Sequence, residues 1–212
     1  MKKDNICLVA VLALLWLPAE LFLNNRTASA AEPAADATLF GFGRQSVGIA
    51  GGHGLALPVG GTSSDELRDL QFLYLAPRWG VGLSDPMGGT SWYRGNFDLV
   101  LEGSFLYSLE PKNGIAGGLT PLIRYNFLAG NRVIPFVQIG GGILALDFDL
   151  RRQADGVNFT PQAGLGFHYF LSEATALTGE WRYHHISNAG IHSNNAGINS
   201  SVVLFGITVF LR

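Results

Sequence analysis

Phe97-Asp98-Leu99-Val100-Leu101-Glu102-Gly103-Ser104-Phe105-Leu106-Tyr107 alternates between two chemistries. Successive side chains of an extended strand point to opposite faces. Phe97, Leu99, Leu101, Phe105 and Tyr107 therefore make one apolar face, and Asp98, Glu102 and Ser104 lie on the other. The same rhythm sets Ile115, Leu119, Ile123, Tyr125 and Phe127 against Thr120, Arg124 and Asn126. Further on it sets Phe159, Leu165, Phe167 and Tyr169 against Thr160, Gln162 and His168. Repeated dyads about ten residues long mark a transmembrane β-barrel.

Eight such segments can be placed, at roughly 46–57, 70–83, 94–109, 115–128, 133–148, 158–172, 175–187 and 199–212. The expected fold is all-β, an eight-stranded antiparallel transmembrane barrel forming one domain over residues 31–212. Pro111-Lys112-Asn113-Gly114, Gly130-Asn131-Arg132 and Glu173-Ala174 read as tight turns. Residues 58–69, 149–157 and 188–198 read as longer loops, and 84–93 as a further connection. Pro77, Pro121, Pro135 and Pro161 fall inside assigned strands, where each removes a ladder donor, so bulges or positions beyond the bilayer are expected there. Gly140-Gly141-Gly142 interrupts the fifth segment.

The chain begins with Lys2 and Lys3, an apolar run from Ile6 to Trp16, and Ala28-Ser29-Ala30. That order is a secretory signal peptide, residues 1–30, with cleavage expected after Ala30. The only cysteine, Cys7, would leave with it, so the mature chain can form no disulfide. No later run approaches the ~18 uninterrupted apolar residues of a membrane helix, although 48% of the chain is hydrophobic. Losing Lys2, Lys3 and Arg26 against Asp4 and Glu20 takes the formal charge from −2 to −3. That balance gives no reason to expect a nucleic-acid partner.

The polar face suggests a packed interior. Asp98, Glu102, Arg124, Glu180 and Arg182 share the parity opposite the aromatic residues, so they are expected inside as paired charges. Eight strands enclose a space just wide enough for side chains to fill, so no pore is expected.

Near the end of the seventh segment stands Trp181-Arg182-Tyr183-His184-His185-Ile186-Ser187-Asn188-Ala189-Gly190, followed by Asn195-Ala196-Gly197-Ile198-Asn199. His185 and Ser187 are two apart on a strand and share a face, so imidazole and hydroxyl are neighbours. Asn188-Ala189-Gly190 is turn chemistry and can aim backbone N–H groups toward one spot, as an oxyanion requires. Leu177, Trp181 and Tyr183 share the parity of His185 and Ser187, which puts that face toward lipid. Asn199 has the outward parity of the last segment. With a periplasmic N-terminus, odd strands run outward, and the cluster lies in the outer leaflet.

The run His185-Ile186-Ser187-Asn188-Ala189-Gly190, ending the penultimate strand, resembles the signature of the lipid A 3-O-deacylase (PagL) family of outer-membrane esterases. The similar rhythm extends to Thr120-Pro121-Leu122-Ile123-Arg124-Tyr125-Asn126-Phe127 and Ile134-Pro135-Phe136-Val137. The resemblance implies that Ser187 is the nucleophile, His185 the general base, and Asn188 with the Gly190 N–H the oxyanion hole. It also implies lipid A of lipopolysaccharide as substrate, and the outer membrane as location. The third member of the family's triad is an acid, and here its position falls on Asn199. An amide can orient the imidazole but cannot offset the imidazolium charge, so Asn199→Glu is expected to raise a slow rate by roughly tenfold or more.

No cofactor is called for. His184, His185 and His192 match no standard metal template. Trp79, Trp92 and Tyr93 read as interfacial girdle aromatics. The expected partners are lipopolysaccharide as substrate and the surrounding outer-membrane lipids, with a homodimer also compatible with the sequence. The competing expectation is a non-catalytic structural or lipid-binding barrel, which the amide at Asn199 favours.

Overall fold

The computed structural model describes residues 37–63 and 66–211. The expected signal segment 1–30 and its cleavage point lie outside the described residues. Ten hydrogen-bonded strands follow in chain order: β1 (Gln45–Ala56), β2 (Gln71–Gly82), β3 (Gly95–Glu110), β4 (Gly114–Phe127), β5 (Val133–Gly140), β6 (Ile143–Asp147), β7 (Gly156–Phe159), β8 (Gln162–Phe170), β9 (Thr175–Ile186) and β10 (Ile198–Phe210). Every pairing is antiparallel, and β1 pairs with β10, so the first and last strands close the sheet.

The ten strands make eight staves. β5 and β6 are one stave broken at Gly141 and Gly142, and β7 and β8 are one stave broken at Thr160 and Pro161. Register runs through both breaks, with Leu122 opposite Gly140 and Leu119 opposite Ile143, then Gly140 opposite Gln162 and Ile143 opposite Phe159. A closed antiparallel barrel of eight staves results, and the sequence boundaries hold to within a residue or two except at these breaks.

The prolines explain where the ladder fails. Pro121 directs its carbonyl at Gly141, so its missing donor falls in the β5–β6 break, and Pro161 occupies the neighbouring break. Pro77 sits in the gap between the pairs Leu75–Phe105 and Arg78–Glu102. Pro135 lies just past the last β4–β5 pair, Asn126–Phe136. Each proline thus lies at or beside an interruption in one of its ladders, and Pro77, Pro121 and Pro135 keep a register partner on the other side.

Short and long connections do not sort strictly to opposite ends of the barrel. Residues 111–113 make the shortest link at the end that also carries 57–70, 148–155 and 187–197, whereas 83–94 is long at the opposite end. The long link has internal pairing of its own through the Met87–Gly95 bridge, and the Tyr125 hydroxyl donates to the Tyr93 carbonyl.

The interior is layered. At mid-height Arg78 and Arg182 each bond both Glu102 and Glu180 at 2.6–2.7 Å, and the Tyr74 hydroxyl donates to Glu102 at 3.0 Å. Arg124 donates to Gln138 and lies 4.2 Å from the Phe136 ring centroid, and Asp98 accepts from Asn126 at 2.6 Å. Arg78 joins this belt without having been legible in sequence, because segment 70–83 alternates poorly around Pro77. Above the belt Phe72, Leu106, Leu146, Phe148, Ile186 and Ile198 pack with Leu67 and Leu70 from the first loop. Below it, Leu39 and Phe40 from the N-terminal approach pack against Phe170 and Phe210. The lumen is therefore filled with side chains.

The outer surface is the inverse of a water-soluble domain. Ile49, Leu75, Phe105, Leu119, Ile139 and Phe205 are 48–66% exposed. Apolar residues outside a polar belt suit a barrel whose solvent is lipid.

Candidate active site

β9 carries Tyr183 and His185 outward, while Glu180, Arg182 and His184 point into the lumen and are buried. β10 runs antiparallel beside it with Asn199 directly opposite His185. Side chains of facing residues in such a pair lie about 5 Å apart at Cβ, close enough to bond. The His185 Nδ1 to Asn199 Oδ1 distance is 2.7 Å.

The orientation of the Asn199 amide follows from its other partners. Asn199 Nδ2 is 3.0 Å from the Val59 carbonyl and 3.1 Å from Thr62 Oγ1. A carbonyl only accepts, so the nitrogen must face Val59 and the oxygen must face His185. An amide oxygen offers no hydrogen, so His185 Nδ1 carries the proton and Nε2 the lone pair. That is the tautomer a general base needs. The Tyr183 hydroxyl donates to the same Oδ1 at 2.5 Å.

Gly197 shapes the other side of the imidazole. Its φ is +79°, and a Cβ there would lie 2.9 Å from His185 Cε1, so only glycine suits both the backbone and the contact. Its N–H donates to Gln153 Oε1 at 2.9 Å, which ties the turn to the loop 148–155.

Ser187 follows on the same outward row, with its backbone paired to Phe159 across β7. Among the described residues no hydrogen bond joins Ser187 to His185. The turn after it is tightly specified. Asn188 is fully buried; its Oδ1 accepts from Gly190 N at 2.9 Å and its Nδ2 donates to the Asn194 carbonyl at 3.0 Å. Ile191 N closes the turn onto Asn188 O at 3.0 Å, and Ala189 and Gly190 have φ of 52° and 83°. A non-glycine residue at positive φ is held there at a cost of order 1–3 kcal/mol. The two expected oxyanion groups thus bond each other across this turn.

The structure therefore joins His185 to Asn199, keeps Ser187 on their face, and places Asn188 and Gly190 immediately beyond. Sequence reasoning misses Val59, Thr62, Gln153 and the second role of Tyr183. Parity marks Tyr183 as outward without naming its partner, and the loop residues carry no local signal, since they reach the site only by tertiary folding. His184 and His192 do not join His185 in a ligand set; no group of three or more metal-binding side chains occurs among the described residues.

Comparison with known proteins gives a family and a fold. No curated protein matches the chain. The crystal structure of the outer membrane enzyme PagL superposes with a TM-score of 0.51 at 22% identity, covering 76% of this chain and 97% of that one. The crystal structure of Neisserial surface protein A gives 0.51 at 14% identity, covering 79% and 97%. At such identities these likenesses speak for the barrel alone. The family model for lipid A 3-O-deacylase (PagL) matches residues 67–208, most of the chain, a range that includes positions 185–199. The chain belongs to the lipid A 3-O-deacylase (PagL) family.

Proposed function

We propose that this outer-membrane barrel is a serine esterase that removes a primary ester-linked acyl chain from lipid A. The observation that carries the reading is the 2.7 Å bond from His185 to Asn199 on the lipid-facing side of the barrel, with Ser187 next on the same row. His185 Nε2 takes the proton of Ser187 Oγ as that oxygen attacks the acyl carbonyl carbon. The carbonyl oxygen becomes an oxyanion at the Asn188–Gly190 turn, where Gly190 N–H exchanges Asn188 Oδ1 for the substrate. Collapse breaks the C–O bond to the sugar, whose oxygen takes the proton from His185. Water then repeats the sequence on the acyl-serine, releasing a fatty acid and restoring Ser187. Catalytic hydrogen bonds in unliganded sites are commonly long and shorten on substrate, which accommodates the unmade Ser187–His185 bond.

The mature protein begins after Ala30 in this proposal, and its site opens into the outer leaflet. The test is release of 3-hydroxy fatty acid from lipopolysaccharide by purified, folded protein. Wild type is expected to release it, and Ser187→Ala and His185→Ala to lower the rate about 10⁴-fold or more. A folded wild type that releases none would leave the amide at Asn199 and the unbonded Ser187 as features of a non-catalytic lipid-binding barrel.

A further inference from the structure

The amide at Asn199 raises a specific difficulty. Unlike a carboxylate, it has one accepting and one donating end, and only the accepting end can hold the imidazole with Nε2 free. When an amide replaces the triad carboxylate of a serine protease, the loss is about 10⁴-fold, through the wrong tautomer. In this barrel the first loop removes that ambiguity. We infer that Thr62 is a positioning residue, a clamp that fixes the Asn199 amide so that it serves His185 in place of a carboxylate; this rests on the esterase reading.

Thr62 is fully buried and its hydroxyl is saturated. Oγ1 donates to the Gly197 carbonyl at 3.0 Å, and accepts from Asn199 N at 2.8 Å and from Asn199 Nδ2 at 3.1 Å. Having spent its one proton on Gly197, the hydroxyl can only accept from Asn199, which forces the NH₂ end toward the loop. Val59 O reinforces this choice and is itself held by the Thr62 amide at 3.2 Å, so carbonyl and hydroxyl arrive together on one short turn over residues 59–62. Gly60, at φ +57°, lets the backbone pass with its absent Cβ 3.9 Å from Asn199 Nδ2. The same hydroxyl bonds Gly197, the residue packed beneath the imidazole, so it sets both the partner of His185 and the surface under it.

The test uses full-length protein folded in detergent, with Thr62→Val, Thr62→Ser, Asn199→Asp and the Thr62→Val/Asn199→Asp pair. Two readouts are taken: kcat and KM on lipopolysaccharide, and the ¹⁵N signals of the His185 ring, assigned by their loss in His185→Gln. Thr62→Val leaves Asn199 Nδ2 only the Val59 carbonyl, on a turn that has lost its ties to Gly197 O and Asn199 N, and is expected to lower kcat by roughly 10²-fold or more with KM little changed and to shift part of the His185 population toward the Nε2–H tautomer. Thr62→Ser keeps the hydroxyl and should keep both rate and tautomer. A carboxylate has no donating end to turn the wrong way, so in the Asn199→Asp background Thr62→Val should change kcat by no more than about threefold. Equal losses from Thr62→Val in both backgrounds, or an unchanged His185 tautomer, would overturn the clamp and leave Thr62 as a loop anchor. If wild type proves inactive, the esterase reading fails separately, and the ring signals still decide whether Thr62 sets the tautomer.

Discussion

His185 is gripped from two directions, by the amide oxygen opposite it and by the bare backbone of Gly197 beneath it. Both contacts act on geometry, and a misplacement near 1 Å can cost about 10²-fold in rate. Gly197→Ala adds a Cβ 2.9 Å from His185 Cε1 at a φ of +79°, so the ring must move. The expected outcome is a loss of roughly 10²-fold in kcat with the heat-dependent gel mobility of a folded barrel retained. Asn199→Asp tests a different property. From sequence alone a restored charge at this position is expected to speed the reaction, but the isosteric carboxylate would set an oxygen 3.0 Å from the Val59 carbonyl where a donor now stands. The loss of that bond and of the Thr62 bond should lower stability by about 1–3 kcal/mol in urea titrations. It should also hold any gain in kcat below the tenfold expected from charge alone.

At the scale of elements, β9 and β10 pair without interruption and so present one unbroken outward row, whereas the neighbouring staves β5–β6 and β7–β8 break at Gly141–Gly142 and Thr160–Pro161. The breaks abut the site, since His185 N donates to the Pro161 carbonyl at 3.0 Å and Thr160 N to the Gly142 carbonyl at 2.9 Å. Regular pairing of β9 with β10 from Thr175–Val209 to Ile186–Ile198 fixes which side chains face outward. Because a one-residue slip would exchange the two faces, the register is directly testable. Spin labels at 177 and 207, both on the outward row, are expected to be relaxed by lipid-soluble oxygen, whereas one at 151 in the loop responds to a water-soluble paramagnet. Oxygen accessibility at 151 with none at 177 and 207 would contradict this placement of the site.

For the whole molecule, the charged belt determines how firmly the staves are held. Arg182 is 1% exposed and serves Glu102, Glu180 and Gln162, carrying bonds across the lumen between β3, β8 and β9. Removing one partner of a buried network leaves uncompensated charge and costs about 3–5 kcal/mol. Arg182→Met is therefore expected to lower the urea stability of the folded barrel by that amount, with Arg78 the remaining ion-pair partner of Glu102 and Glu180 among the described residues. A change under about 1 kcal/mol would mean that water reaches the belt.

Side-chain direction in a strand is a local property, and it was written in the alternation of adjacent residues. From that period alone came the eight staves, the inward Asp98, Glu102, Arg124, Glu180 and Arg182, and the outward His185, Ser187 and Asn199. The resemblance of His185–Gly190 to the family signature is legible for the same reason, the run being contiguous. What the alternation could not express is which distant residues meet once the barrel closes. Arg78 entered the belt across the lumen, prolines chose the ladder gaps, and Thr62 and Val59 reached Asn199 from 137 and 140 residues away in the chain. Those contacts depend on loop paths and on barrel closure, in which no single segment determines the outcome, so only the tertiary structure decided how an amide comes to stand behind His185.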